Sequence, residues 1–156
     1  MATPEFILNL REKIGHDALW LPAVRGVVFD DAGRVLLGRR ADTGQWGLIS
    51  GILEPGEEPA PGLLREILEE TGVVAVAERL VSVDAGGPTH YPNGDVCHFL
   101  TLVFRCRFVA GVARVNDDES LDVGWFRPGD FPELMAGHLE MICRAGEPAG
   151  EVHYRQ

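Results

Sequence analysis

Apolar positions recur along the chain with two periods, and the switches between them mark out the elements. Residues 4–14 set Phe6, Ile7, Leu10 and Ile14 at helical spacing, which predicts a short amphipathic helix. Thr3 is a fitting N-cap, Pro4 suits the first helical position and Gly15 ends the run. Packing on the body of the domain and contact with a second copy are both open to this helix. Residues 20–29 are dense in β-branched and aromatic side chains and predict a strand. The turn Asp30-Asp31-Ala32-Gly33 and a second strand at 34–39 complete a hairpin. A polar loop with Asp42, Gly44 and Gln45 follows, and 46–49 is a short apolar segment.

Beyond a central stretch at 51–73, residues 78–84 and 96–109 predict two more strands. They are separated by a long connection at 85–95, rich in glycine and proline and holding the turn pair Asn93-Gly94. Residues 121–126 predict a last strand and 131–139 a helix. The tail after Gly146, with Pro148 and Gly150, is expected to be loosely held. Strands around a central helix, with another helix near each end, predict the α/β class: a three-layer sandwich about a mixed sheet. No linker interrupts the pattern, so 1–156 is expected to be one domain.

Composition narrows the partners. The chain has 156 residues, 46% hydrophobic and 24% charged, which is globular composition with enough apolar material for a core. A net charge of -10 argues against nucleic-acid binding and against an anionic membrane surface. It leaves room for a phosphorylated small substrate, because a bound divalent cation inverts the local field. Cys97, Cys106 and Cys143 are far apart and form no CxxC pair, so reduced thiols in a cytoplasmic setting are expected. The N-terminal residues have no signal-peptide core, and no apolar run approaches the roughly 18 residues of a membrane span.

The central stretch carries the chemistry. Pro59 and Pro61 belong at or before a helix start, 62–71 is helical, and Gly72 ends it. At about 100° per residue, Glu66, Glu69 and Glu70 share one sector while Leu64, Ile67, Leu68 and Thr71 point away toward a core. Carboxylates at i,i+4 repel, and acids near a helix C-terminus oppose its dipole. A solvated acidic face is one explanation; cations that complete the arrangement are the other, since Mg²⁺ is held by carboxylates plus phosphate oxygens.

Gly51, Glu57, Arg65-Glu66-Ile67, Glu69-Glu70 and Gly72-Val73 stand at the spacings of the Nudix signature box, and every fixed position of it is met. The chain therefore resembles the Nudix hydrolase family. The resemblance extends to the hairpin before the box, Trp46 ahead of it, and Trp125-Phe126 near the end. It implies an α/β/α sandwich with a loop-helix-loop motif that binds divalent cations, Mg²⁺ usually and Mn²⁺ as an alternative. The implied reaction is hydrolysis of a pyrophosphate bond in a nucleoside diphosphate linked to another moiety. Glu66, Glu69 and Glu70 are then the metal and water ligands, the Gly51 carbonyl a further ligand, and Glu66 a candidate general base. Glu57 and Arg65 are the pair that pins loop to helix. The family implies a homodimer as the expected assembly, and a non-hydrolytic nucleotide-binding regulator on the same fold is the alternative function. Two departures, Ile49-Ser50 in place of Pro-Gly and Pro61-Gly62 in place of alanines, bear on loop geometry.

Outside the box, Asp117, Asp118 and Glu119 offer a further acid, with Glu119 preferred over a plain acidic turn. Arg39 and Arg40 are candidates for phosphate contact or for surface ion pairs. Tyr91, Trp20 and Trp46 are candidates for stacking on a base or for the core, and His98 reads as a core histidine. The substrate itself is left open among ADP-ribose, nucleotide sugars, dinucleotides and oxidised nucleoside triphosphates.

Overall fold

The computed structural model describes residues 4–155. In chain order the elements are α1 (Glu5–Ile14), β1 (Leu19–Phe29), β2 (Val35–Arg40), β3 (Trp46–Gly47), β4 (Ile49–Ile52), α2 (Pro59–Thr71), β5 (Val73–Ala85), β6 (Thr89–His90), β7 (Val96–Gly111), β8 (Ser120–Phe126) and α3 (His138–Gly146). β1 runs parallel to β7 from Leu19↔Cys97 to Phe29↔Arg107, and β7 pairs antiparallel with β5. The expected mixed sheet is therefore present.

The hairpin is present too, but only at its base. β1 and β2 meet at Phe29↔Val35 and then part. β4 takes over beside β1 from Gly26↔Ile49 to Ala23↔Ile52, while β2 pairs with β3 and β8. The sheet thus forks just where the box begins.

Side-chain alternation on β1 builds the three layers. Val24 and Val28 join Leu63 and Ile67 of α2 on one side. Val27 joins Ile142 and Ala145 of α3 on the other, where Leu19 and Leu21 also meet Ile7 of α1. Gly26 lets α2 approach: a Cβ there would stand 3.1 Å from Ile67 Cδ1.

Several expectations need correction. α1 starts at Glu5 with Pro4 as its N-cap, and Thr3 lies outside the described residues. α2 starts at Pro59, three residues before the predicted 62. Prolines fit there because the first turn's N–H groups have no intrahelical acceptor to lose. β5 begins at Val73, directly after a left-handed Gly72 (φ 69°), not at 78. Its register shifts three times against β7, which scrambles the alternation a strand is recognised by. The helix expected at 131–139 is instead α3 at His138–Gly146. Pro132 and Gly137 (φ 81°) keep the earlier segment out of a helix, and its Met135 N–H donates to the Trp46 carbonyl at 2.9 Å. The tail is tied to β5: His153 N–H donates to Val81 O at 2.9 Å, His153 O accepts from Val83 N–H at 3.0 Å, and Glu147 O accepts from Arg79 Nη2 at 3.0 Å. Among the described residues, no helix is long and apolar enough to cross a membrane.

Candidate active site

The carboxylates of α2 are not where a simple helical wheel puts them. The buried stripe of the helix is Leu63, Glu66, Ile67, Glu70 and Thr71, at i, i+3, i+4, i+7 and i+8. Leu68, assigned to the core by the wheel, is 47% exposed. Glu66 (1% exposed) and Glu70 (7%) are sealed between helix and sheet, and Glu69 alone faces outward. The acids and the apolar residues share one face.

Gly51 makes room for this. A Cβ at Gly51 would stand 2.2 Å from Glu66 Cδ, so the carboxylate lies flat against bare backbone of β4. Glu66 Oε1 is buried without a hydrogen bond, although Arg65 Nη1 stands 3.0 Å away. Burial raises the Glu66 pKa to about 7, with Arg65 opposing and Glu69 and Glu119 adding to the rise. Burial, then Glu119, Glu66 and Asp117, raise Glu70 to about 8, against a lowering by Arg40.

Arg65 is the strut of the motif. Its Nε and Nη2 donate to Glu57 Oε1 and Oε2 at 2.8 and 3.0 Å, a bidentate pair, and its Nη1 donates to Glu69 Oε2 at 3.1 Å. Those bonds hold the Glu57 carboxyl below the usual range and raise the Arg65 pKa further. Glu57 also accepts from Glu54 N–H at 3.1 Å. Gly62 has a reason here: a Cβ would come 2.6 Å from Leu53 Cδ2 and 2.8 Å from Glu57 Cδ.

The segment after β7 brings the distant acids in. Asn116 caps the end of α2, donating from Nδ2 to Leu68 O (3.3 Å) and Glu69 O (3.0 Å), while its N–H donates to Glu70 O (3.2 Å). Glu119 N–H donates to Asp117 Oδ1 at 3.0 Å. This capping places both acids within electrostatic reach of Glu70. Arg40, which pairs with Asp42 at 2.7 Å, and the half-buried Tyr91 feel Glu119 as well. Of the outlying candidates, the structure thus gathers Arg40, Tyr91 and Glu119 around the box. Arg39 is not among them: strand alternation turns it outward, where Nε donates to Gly44 O at 3.0 Å. Trp46 packs edge-on against Phe126 in the core, Trp20 is 68% exposed, and His98 is half-buried.

Sequence reasoning missed two residues of this region. His138 is buried, and its Nδ1 accepts from Leu48 N–H at 3.0 Å. Arg25 has an enclosed, unbonded Nε. Neither has a local motif; Arg25 interrupting an apolar strand was the one available signal.

The groups at Glu66 and Glu70 are hard carboxylate oxygens, and Glu66 Oε1 is buried with only the ion pair to Arg65 and no hydrogen bond, so a divalent ion fits this chemistry. As the side chains stand, no three Asp, Glu, His or Cys of the described residues converge to hold one. Glu69 is engaged with Arg65. Buried carboxylates whose pKa values are raised, at the junction of a loop and a helix on a mixed sheet, are suited to proton transfer and to binding a hard cation.

Comparison with known proteins makes the assignment. The NUDIX domain model matches residues 19–145. A MutT-like protein of Streptomyces ambofaciens is 40% identical over 114 residues, covering 73% of this chain and 68% of that one. The human 8-oxo-dGDP phosphatase NUDT18 is 31% identical over 121 residues, covering 74% of this chain but only 35% of its own length. An ADP-ribose pyrophosphatase structure from Streptococcus suis superposes with a TM-score of 0.67 at 21% identity, covering 85% and 96% of the two chains. The chain belongs to the Nudix family and is a Nudix hydrolase, a class that cleaves pyrophosphate bonds in nucleotide derivatives and generally uses divalent cations.

Proposed function

We propose that Glu66, Glu69, Glu70 and the Gly51 carbonyl hold Mg²⁺, or Mn²⁺ in its place, and that Glu66 is the general base for hydrolysis of a nucleotide pyrophosphate bond. The observation that carries this reading is the buried Glu66 Oε1 with no hydrogen bond, pressed against bare Gly51. When bound, the metal neutralises phosphate charge and lowers the pKa of a water. Glu66 accepts a proton at its carboxylate, which burial makes more basic than an ordinary glutamate in the metal-free protein. Arg40 donates to phosphate oxygens, Tyr91 lines the approach, and Glu119 supplements the acids around Glu70. Arg65 and Glu57 act by positioning, through the bidentate pair that fixes the loop against α2. Arg39 is dropped as a substrate ligand because of its outward bond to Gly44.

Substrates of the 8-oxo-dGDP, 8-oxo-dGTP and ADP-ribose type are the first to try, since similar proteins carry those names. The free thiols of Cys97, Cys106 and Cys143 support a cytoplasmic location, and a homodimer is the proposed assembly. The test is product release from a nucleotide panel with Mg²⁺, comparing wild type with Glu66→Gln and Glu70→Gln. No turnover across the panel, or variants as active as wild type, would sink the proposal. Tight binding without turnover would point to a regulator instead.

A further inference from the structure

The connection at 85–95 ends in a hairpin with a very short first arm. Among the described residues, β6 meets β7 at Thr89↔Cys97 and His90↔Val96 alone. Two pairs do not hold a hairpin in place by themselves. The turn closes on itself: Tyr91 N–H donates to Asp95 O and Gly94 N–H to Tyr91 O, both at 2.9 Å. Asn93 Nδ2 donates to Asp95 Oδ2, and Asp95 N–H to Asn93 Oδ1, both at 3.1 Å. Those bonds shape the turn but do not fix it to the body of the protein.

α1 supplies the anchor. Arg11 Nε stands 3.1 Å from Asp95 Oδ1, and His16 Nδ1 stands 2.8 Å from the same oxygen. Arg11 also donates from Nη1 to Gly15 O at 3.0 Å and Asp17 O at 2.6 Å, and from Nη2 to Val96 O at 3.4 Å. One guanidinium thus joins the end of α1, the link to β1 and the start of β7. The Arg11 and Asp95 side chains are 12% and 16% exposed, so their ion pair escapes most of the screening that weakens surface pairs. Packing alone does not call for this device, because Phe6, Ile7 and Ile14 already seat α1 on Leu19 and Leu21.

The turn carries Tyr91 to the edge of the candidate site. Tyr91 packs on the same cluster as Ile52 of β4, the residue after the Gly51 that makes room for Glu66. Its hydroxyl is within electrostatic reach of Arg40, Asp42 and Glu119, and Arg40 and Glu119 both act on Glu70. A direct backbone bond joins Tyr91 to Asp95, so a shift of Asp95 is passed to the ring.

We propose that Asp95, held by Arg11 of α1, is a positioning residue for the nucleotide substrate: it fixes the turn that sets Tyr91 beside Arg40. The proposal rests on the reading of Tyr91 and Arg40 as substrate contacts, and it gives α1 a part in the site.

The test is steady-state kinetics on ADP-ribose, 8-oxo-dGDP and 8-oxo-dGTP in saturating Mg²⁺, at a temperature where every variant is folded. Asp95→Asn keeps the size of the side chain and removes the charge that α1 holds. It is expected to raise KM about three- to thirtyfold with kcat unchanged. Arg11→Gln does the same, and Arg11→Lys recovers part of the loss. In a Tyr91→Ala background Asp95→Asn has no further effect, since Asp95 acts through the ring. Amide hydrogen exchange quickens at 86–95 and stays unchanged in α2. An unchanged KM, a fall in kcat instead, or a KM effect that persists without the Tyr91 ring overturns the proposal. So does faster exchange throughout the chain with a lowered Tm, which marks a purely structural ion pair. Equilibrium binding of AMP and 8-oxo-dGMP, which have no pyrophosphate bond to cleave, separates this from the hydrolase reading. If nothing is hydrolysed while Asp95→Asn weakens that binding through Tyr91, the hydrolase reading fails and the positioning role stands. If turnover is normal and KM ignores Asp95, the positioning role alone fails. If neither turnover nor binding occurs, both fail.

Discussion

Two glycines in the short stretch 46–52 support the same packing device with opposite results. Gly47 and Gly51 each lie beneath a titratable side chain lowered from a helix. A Cβ at Gly47 would stand 2.9 Å from His138 Nδ1, and one at Gly51 would stand 2.2 Å from Glu66 Cδ. His138 is bonded: burial lowers its pKa to about 3, so it is neutral near pH 7, and Nδ1 accepts from Leu48 N–H. Glu66 is not: its pKa rises to about 7 and Oε1 has no hydrogen bond. A buried polar group that is satisfied stabilises one conformation, whereas one left wanting stores free energy for a ligand. The difference separates the structural end of this segment from the end proposed to be reactive.

The largest break in that comparison comes from neutralising the reactive end. Glu66→Gln and Glu70→Gln are each expected to lower kcat by about a hundred- to ten-thousandfold. The same changes should raise the metal-free Tm at pH 8, because a costly buried charge is gone. A Tm that falls would place the two acids with His138 as structural groups.

The pH dependence separates the two ends without a mutation. Glu66 and Glu70 have folded pKa values of about 7 and 8, against 4.5 for an unperturbed glutamate. A raised carboxylate favours folding below the lower value and loses that advantage as pH rises through the higher one. His138 runs the other way, from 6.5 down to about 3, so its contribution is lost as pH falls below 6.5. Metal-free protein should thus be most stable near pH 4.5, where the two glutamates begin to lose their contribution, and should lose on the order of a few kcal/mol by about pH 8. Mg²⁺ should abolish the alkaline loss and leave the acid loss untouched. Chemical denaturation across pH, with and without Mg²⁺, checks both limbs.

Smaller effects sharpen it further. Gly51→Ala should cost about 1–3 kcal/mol by overpacking and also displace Glu66, so activity falls with stability. His138→Ala should cost a similar amount, about 1–3 kcal/mol, by stranding Leu48 N–H, with kcat per folded molecule unchanged. Denaturation midpoints and active-site-normalised rates distinguish the two. Arg39→Ala should change stability by less than about 0.5 kcal/mol and leave KM unaltered, in contrast to its neighbour Arg40.

Much of the site was legible because its chemistry is local. Arg65, Glu57 and Glu69 lie within one turn or one loop of each other, and spacing alone brings them together. The mixed sheet was legible from the strand-like runs. The orientation of α2 was not. The spacing of about 100° per residue put Glu66 and Glu70 on the face opposite the core and Leu68 on the core side. In the fold the two acids are buried with the apolar stripe and Leu68 is exposed. The start of β5 was hidden by bulges, and α3 was misplaced because the backbone of 131–137 pairs with Trp46, a partner far away in sequence.

The sequence by itself determined the family, the box and the identity of the carboxylates, since these depend on residue type and short spacing. Only the tertiary structure decided which carboxylates are buried, that Asp117 and Glu119 reach Glu70, and that Arg25 and His138 are enclosed. Those properties depend on desolvation and on charges brought close by chain segments distant in sequence, and no local pattern encodes either.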